Sequence, residues 1–164
     1  RALIDDRKIL LVNLAKGRLG EDTASLLGAL LVASLGFAAF SRADVPESRR
    51  RDFWIYLDEF HTVTTLSLAS MLSELRKYRV GMVLAHQYLE QLDEAVRAAI
   101  LGNVGTVVTF RVGYADAEVL AEEFAPTFTA LDFVNLPNRE IYVKLMVEGT
   151  PSLPFSAETF RLPI

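Results

Sequence analysis

The sequence predicts an α/β fold: a mostly parallel sheet with helices on both faces, closed by a C-terminal β-hairpin. Three observations predict it. Short apolar runs alternate with helical stretches about four times along the chain. The runs are continuous rather than alternating, as strands buried on both faces are. Hydrophobic residues make up 51% of the 164 and charged residues only 23%, with mean hydropathy +0.26, so the chain has an apolar excess to bury. The length is normal for one domain and allows a real core.

The elements follow in order. Lys8–Leu14 (KILLVNL) is a short apolar run, read as a buried strand, and Gly17 and Gly20 break it. A helix is predicted over Glu21–Phe40. Within it Thr23–Phe40 carries no charge and approaches the length of a membrane span. Its residues are mostly small, no basic flank precedes it, and Glu21 and Asp22 suit the first turn of a soluble helix. It is therefore read as a buried or interface helix, with membrane insertion as the rival. Ser41–Asp52 is polar, contains Pro46, and reads as a loop. Phe53–Leu57 (FWIYL) is a second strand, ending in Asp58 and Glu59. Leu66–Tyr78 has helical spacing. Val80–Ala85 is a third strand, ending at His86 and Gln87. Asp93–Leu101 reads as a helix, Thr106–Phe110 as a fourth strand, and Ala115–Phe124 as a helix. Ile141–Val147 and Leu153–Phe160 read as strands of a hairpin around Gly149 and Pro151.

Composition excludes several classes. High hydrophobicity excludes intrinsic disorder. With no cysteine there is no disulfide scaffold, thiolate zinc site or cysteine nucleophile. A net charge of −4 argues against a globally basic nucleic-acid binder, though not against a local basic patch.

Chemistry in parallel α/β folds gathers at the carboxyl ends of the strands. There the apolar run FWIYL ends in Asp58-Glu59, the form of a Walker B motif. The first acid suits Mg²⁺ held through water, because Mg²⁺ keeps several waters and takes one or two carboxylates. The second suits orienting or deprotonating an attacking water. The plain alternative is a solvated acidic strand end. Gln87, at the tip of the next strand, could contact that water and a γ-phosphate; the alternative is a glutamine opening the next helix. His86 is read as a partly buried polar neighbour.

These residues carry a family resemblance. FWIYLDEFH, LSELRKYRVGMVLAHQYLEQL and ILGNVGTVVTFRVGYADAEVLAEEF resemble the HerA/FtsK group of RecA-like P-loop ATPases, most of all conjugative coupling proteins of the TraG/TraD type from type IV secretion. The resemblance runs from KILLVNLAKGRLGED to PFSAETF. It implies a RecA-like core and a hexameric ATPase that moves DNA, with ATP and Mg²⁺ as cofactors. Asp58 and Glu59 match the Walker B pair and Gln87 the sensor glutamine. Arg76 matches an arginine placed across the subunit boundary; Arg79 and Arg111 are rivals, and a solvated helix end is the alternative. Implied partners are DNA, further copies of the chain, and relaxosome or secretion-channel proteins. The implied location is cytoplasmic, at the inner face of a bacterial membrane through segments outside this sequence.

No G-x-x-x-x-G-K-[ST] occurs in the chain. Gly17–Gly20 is a glycine-bounded turn that could bind an anion, but no Lys-Ser/Thr follows and Glu21 and Asp22 do. Residues 1–164 are therefore expected to be the C-terminal part of a RecA-like ATPase domain, lacking the Walker A strand–loop–helix and inactive on their own. Arg49, Arg50 and Arg51 are candidate phosphate contacts, against a plain solvated loop. Tyr88 and Tyr114 are stacking candidates, with packing as the alternative. The rival function is a non-catalytic oligomerisation or protein-docking module on the same fold.

Overall fold

The computed structural model describes residues 1–64 and 66–161 and divides into two compact units. The last residues of the expected domain, 162–164, lie outside the described residues.

Unit 1 comprises Arg1–Gln87 and Gln91–Asn103. It contains α1 (Ala2–Asp5), α2 (Lys16–Leu19), α3 (Glu21–Phe40), β1 (Phe53–Asp58), α4 (Leu66–Leu75), β2 (Val80–Ala85) and α5 (Glu94–Leu101). The strands pair in parallel from Phe53↔Val80 to Asp58↔Ala85, so their carboxyl ends are flush. Such pairing needs a crossover, and α4 provides it.

The core forms where α3 and α4 meet one face of this pair. Ile55, Leu75, Val80 and Ala39 are buried together, with Phe53, Leu57 and Met71 packed around them. A second cluster joins Val32, Val63 and Leu68. The helix α3 reaches its neighbours through small residues: Ala24, Gly28, Val32, Gly36 and Ala39 are its buried positions. A Cβ on Gly28 would overlap the Val63 side chain and lie 2.8 Å from Leu14 Cδ1; one on Gly36 would overlap the Met71 sulfur. The other side of α3 exposes Leu26, Leu30 and Phe37. By length and composition alone, Glu21–Asp44 is apolar enough to cross a membrane, and 28% of its most apolar window is buried.

Two expectations change in this unit. Lys8–Leu14 forms no strand. It runs beside β1, and the two line a groove of about 1310 Å³, with Ile9 and Leu11 almost fully exposed. An apolar run becomes a strand only where a partner takes up its hydrogen bonds, and among the described residues β1 pairs on one edge alone. The sheet is also not covered on both faces. Burial alternates along β1, and Trp54 and Tyr56 on the second face are exposed. Continuous apolarity in FWIYL thus comes from aromatic residues on an open face.

Ser41–Asp52 is the expected loop, tightened by two 3₁₀ turns, Ser41–Asp44 and Glu47–Arg49. Arg42 is fully buried beneath it. Its Nη1 donates to Tyr78 O at 2.9 Å, its Nη2 donates to Arg51 O at 2.8 Å, and its Nε lies 3.3 Å from Asp5 Oδ1. Burial lowers the pKa of this guanidinium, and the charge of Asp5 opposes that.

Unit 2 comprises Tyr88–Glu90 and Val104–Ile164. It contains β3 (Val107–Thr109), α6 (Tyr114–Glu123), α7 (Ala130–Asn135), β4 (Glu140–Lys144), β5 (Met146–Val147), β6 (Thr150–Pro151) and β7 (Phe155–Glu158). Its sheet is antiparallel, in the order β3-β4-β7, and β5 and β6 form a small hairpin with Gly149 at positive φ. The terminal hairpin is present as predicted. The fourth strand is not parallel: between β3 and β4 the chain passes through two helices instead of one crossover helix, and β4 returns antiparallel. The core gathers Ala117, Leu120, Phe124 and Phe133. Tyr142 stacks on Phe128 at 3.8 Å and meets Phe133 edge-on at 5.2 Å. Asp116, itself buried, accepts the Leu89 N–H at 3.0 Å and holds Tyr88–Glu90 within this unit.

Candidate active site

The site lies in unit 1, at the flush carboxyl ends of β1 and β2. Asp58 is the last residue of β1, opposite Ala85, and Gln87 stands just past the end of β2. The backbone then turns sharply. Glu59 adopts φ 48°, ψ 46°, a left-handed conformation that costs a non-glycine residue roughly 1–3 kcal/mol. Local bonds hold it there. Thr62 donates its N–H to Glu59 O at 3.1 Å and its Oγ1 hydrogen at 3.0 Å, within the 3₁₀ turn Phe60–Val63. Phe60 and Val63 are buried and anchor that turn.

The turn aims the Glu59 carboxylate across the strand tips. Gln87 Nε2 donates to Glu59 Oε1 at 2.6 Å. His61 Nδ1 lies 3.4 Å from Glu59 Oε2, without forming a hydrogen bond. Asp58 is exposed, and its Oδ1 accepts the Glu59 N–H at 3.1 Å. His86 is half-buried and meets Phe60 edge-on at 4.6 Å. The structure thus brings Asp58, Glu59 and Gln87 together, with His86 beside them. His61 and Thr62 are additions that sequence reading missed; the signal available was their closeness to Asp58-Glu59.

An exposed carboxylate with one oxygen on its own backbone fits a cation held through water. Among the described residues no group of three or more His, Asp or Glu could hold a metal directly.

Arg76 lies elsewhere. It sits in the 3₁₀ turn Arg76–Tyr78 that leads into β2, exposed, at the amino ends of the strands. Six parallel strand residues separate those ends from the Asp58 tip, roughly 20 Å. Arg76 cannot reach Glu59 within its own chain. Arg79 is at the same end, 3.5 Å from Asp52. Arg111, in unit 2, donates to Asn138 Oδ1 at 3.1 Å. Arg49 and Arg51 are exposed at the amino end of β1. Arg50 differs: its Nε donates to Val45 O and Arg42 O, its Nη1 to Lys77 O, and its guanidinium lies 5.1 Å from the Tyr78 ring centre. The Gly17–Gly20 stretch falls on the short helix α2 and its C-cap Gly20, and Lys16 lies 3.6 Å from Glu21 Oε1. Tyr88 and Tyr114 are both exposed.

Two parallel strands thus end flush, one in Asp58-Glu59 and the other just before Gln87. The type IV secretion-system coupling protein DNA-binding domain matches residues 13–148, most of the chain, and the protein belongs to that family. Among solved structures it is similar to the plasmid coupling protein TrwB in complex with the non-hydrolysable ATP analogue ADPNP. The TM-score is 0.59 at 18% identity, covering 80% of this chain and 37% of that one. At that identity the likeness is one of fold. No curated protein matches.

Proposed function

We propose that this chain is the C-terminal, Walker B and sensor half of a RecA-like ATPase domain in a coupling protein, working as a hexameric DNA translocase in conjugation or type IV secretion. The observation that carries the reading is the Gln87–Glu59 hydrogen bond across the tips of two parallel strands. The missing Walker A motif and the 37% coverage of TrwB support the assignment to one part of such a domain.

In this reading Asp58 holds Mg²⁺ through water and Glu59 orients and deprotonates the attacking water. When bound, Mg²⁺ neutralises charge developing on the phosphate oxygens. Gln87 links the state of Glu59 to the nucleotide. Arg76, too far from its own Glu59, serves a neighbouring subunit, as an arginine finger does. DNA phosphates meet Arg49 and Arg51. The domain works on the cytoplasmic side, at the inner face of the membrane through segments outside this chain, and relaxosome or channel proteins are further partners.

The rival is a non-catalytic docking or oligomerisation module, favoured by the exposed Leu26, Leu30 and Phe37 of α3. The test is the ATPase rate of the full-length coupling protein carrying this chain, with and without DNA. DNA-stimulated turnover that Glu59→Gln abolishes while nucleotide still binds supports the ATPase. Turnover indifferent to Glu59→Gln, or none at all, favours the docking module.

A further inference from the structure

We infer that His61 is a positioning residue that holds the second carboxylate oxygen of Glu59. The inference rests on the hydrolytic reading of Glu59. A carboxylate that activates water works only if its free oxygen keeps one direction, and here the two oxygens face two different groups. Gln87 takes Oε1. Oε2 faces His61 Nδ1 at 3.4 Å, slightly beyond the usual N–H···O range of about 2.7–3.2 Å. That nitrogen is buried and has no hydrogen-bond partner, an arrangement uncommon in folded proteins. A small rotation of the carboxylate closes the gap, as catalytic hydrogen bonds often tighten only when substrate is bound.

The backbone that carries the ring is fixed. His61 sits in the turn anchored by buried Phe60 and Val63, and the turn is closed by both Thr62 bonds to Glu59 O. The same turn fixes the left-handed Glu59 backbone, so the chain holds the bases of both side chains in one piece. Toward a carboxylate Nδ1 acts only as a donor, so the inferred contact needs a proton on that nitrogen. The two contacts then divide the work. If Gln87 turns to the nucleotide, Oε1 is released toward water, and His61 keeps the carboxylate from swinging away with it.

The experiment uses the full-length coupling protein carrying this chain, with wild type and Glu59→Gln as references. His61→Leu is expected to lower kcat for ATP about 10-fold, in the range typical of residues that orient a working ligand, and to leave KM unchanged. His61→Asn, whose amide nitrogen can stand where Nδ1 stands, is expected to restore most of the loss. Wild-type kcat in His61→Leu, or His61→Asn no better than His61→Leu, overturns the inference while leaving the ATPase reading intact. If wild type and Glu59→Gln do not differ, the ATPase reading fails and takes this inference with it. Should His61→Leu melt early, His61→Asn alone decides: kcat near wild type supports the role, and a loss of about 10-fold overturns it.

Discussion

Gln87 Nε2 and Glu59 Oε1 are 2.6 Å apart, although they are carried by the tips of two different strands. That contact makes Gln87→Glu informative. The substitution sets two carboxylates at hydrogen-bond distance, and like charges that close raise one pKa strongly. If Glu59 is the base proposed above it must be deprotonated, so the acid limb of the kcat–pH profile in the full-length protein moves to higher pH, by about 1 unit or more. Gln87→Ala removes the donor without adding a charge and lowers the rate. A Gln87→Glu profile that overlays wild type argues against the contact.

The arginines around β1 separate into structural and free ones. Arg42→Ala leaves the carbonyls of Tyr78 and Arg51 without their donors and should cost about 2–4 kcal/mol of stability. Arg50→Ala loses bonds to three carbonyls in a wetter setting, about 1–2 kcal/mol. Denaturant melts of the whole protein measure both.

Arg49→Ala and Arg51→Ala should leave stability within about 0.5 kcal/mol. If they touch phosphate, each lowers the log–log salt slope of duplex binding by about 0.9. Unchanged slopes would remove them from the DNA surface.

Glycines in α3 differ by what faces them. Alanine gains about 1 kcal/mol of helix propensity at either site. At Gly28 the new methyl meets the branched Val63 side chain and Leu14, and overpacking of about 1–3 kcal/mol outweighs the gain. At Gly36 it meets the flexible Met71 thioether, which can move aside. Gly28→Ala should therefore melt well below Gly36→Ala; the reverse order would contradict the packing.

In unit 2, Thr129 and Asp132 form a reciprocal capping box at the start of α7. Hydrogen bonds from the Thr129 backbone and side chain hold the Asp132 carboxyl below its ordinary pKa. A depressed folded-state pKa gives stability that is present above the unfolded value, near 3.9, and is lost as pH falls through the folded one. Thr129→Ala should cost about 1 kcal/mol at neutral pH and less in strong acid, where only the Asp132 N–H bond to Thr129 Oγ1 is left to lose. A cost independent of pH would mean the Asp132 charge contributes nothing to the box.

Much of unit 1 was legible because its signals are local. The acids at Glu21 and Asp22 and the run to Phe40 mark α3 to the residue. The apolar runs and the polar pairs after them locate β1, β2, Asp58 and Gln87. What stayed hidden depends on partners distant in sequence. KILLVNL has the composition of a strand but no ladder to join. The direction of β3 is set by β4, beyond two helices. At six residues α7 is too short for periodicity, and its readable mark was Thr129-x-x-Asp132. Arg50 looks like its neighbours in the triplet until Val45, Lys77 and Tyr78 surround it.

The ring of Trp54 lies so close to Gly81 that a Cβ there would come within 2.5 Å of it. It is the chain's single tryptophan, and it is carried on the strand that ends at Asp58. Its fluorescence therefore reports on the surroundings of β1, its packing on β2 among them, with no tryptophan background from unit 2. Compared with a far-ultraviolet signal averaged over all helices, it separates the melting of the strand pair beneath Asp58 and Glu59 from that of the rest, with no label attached.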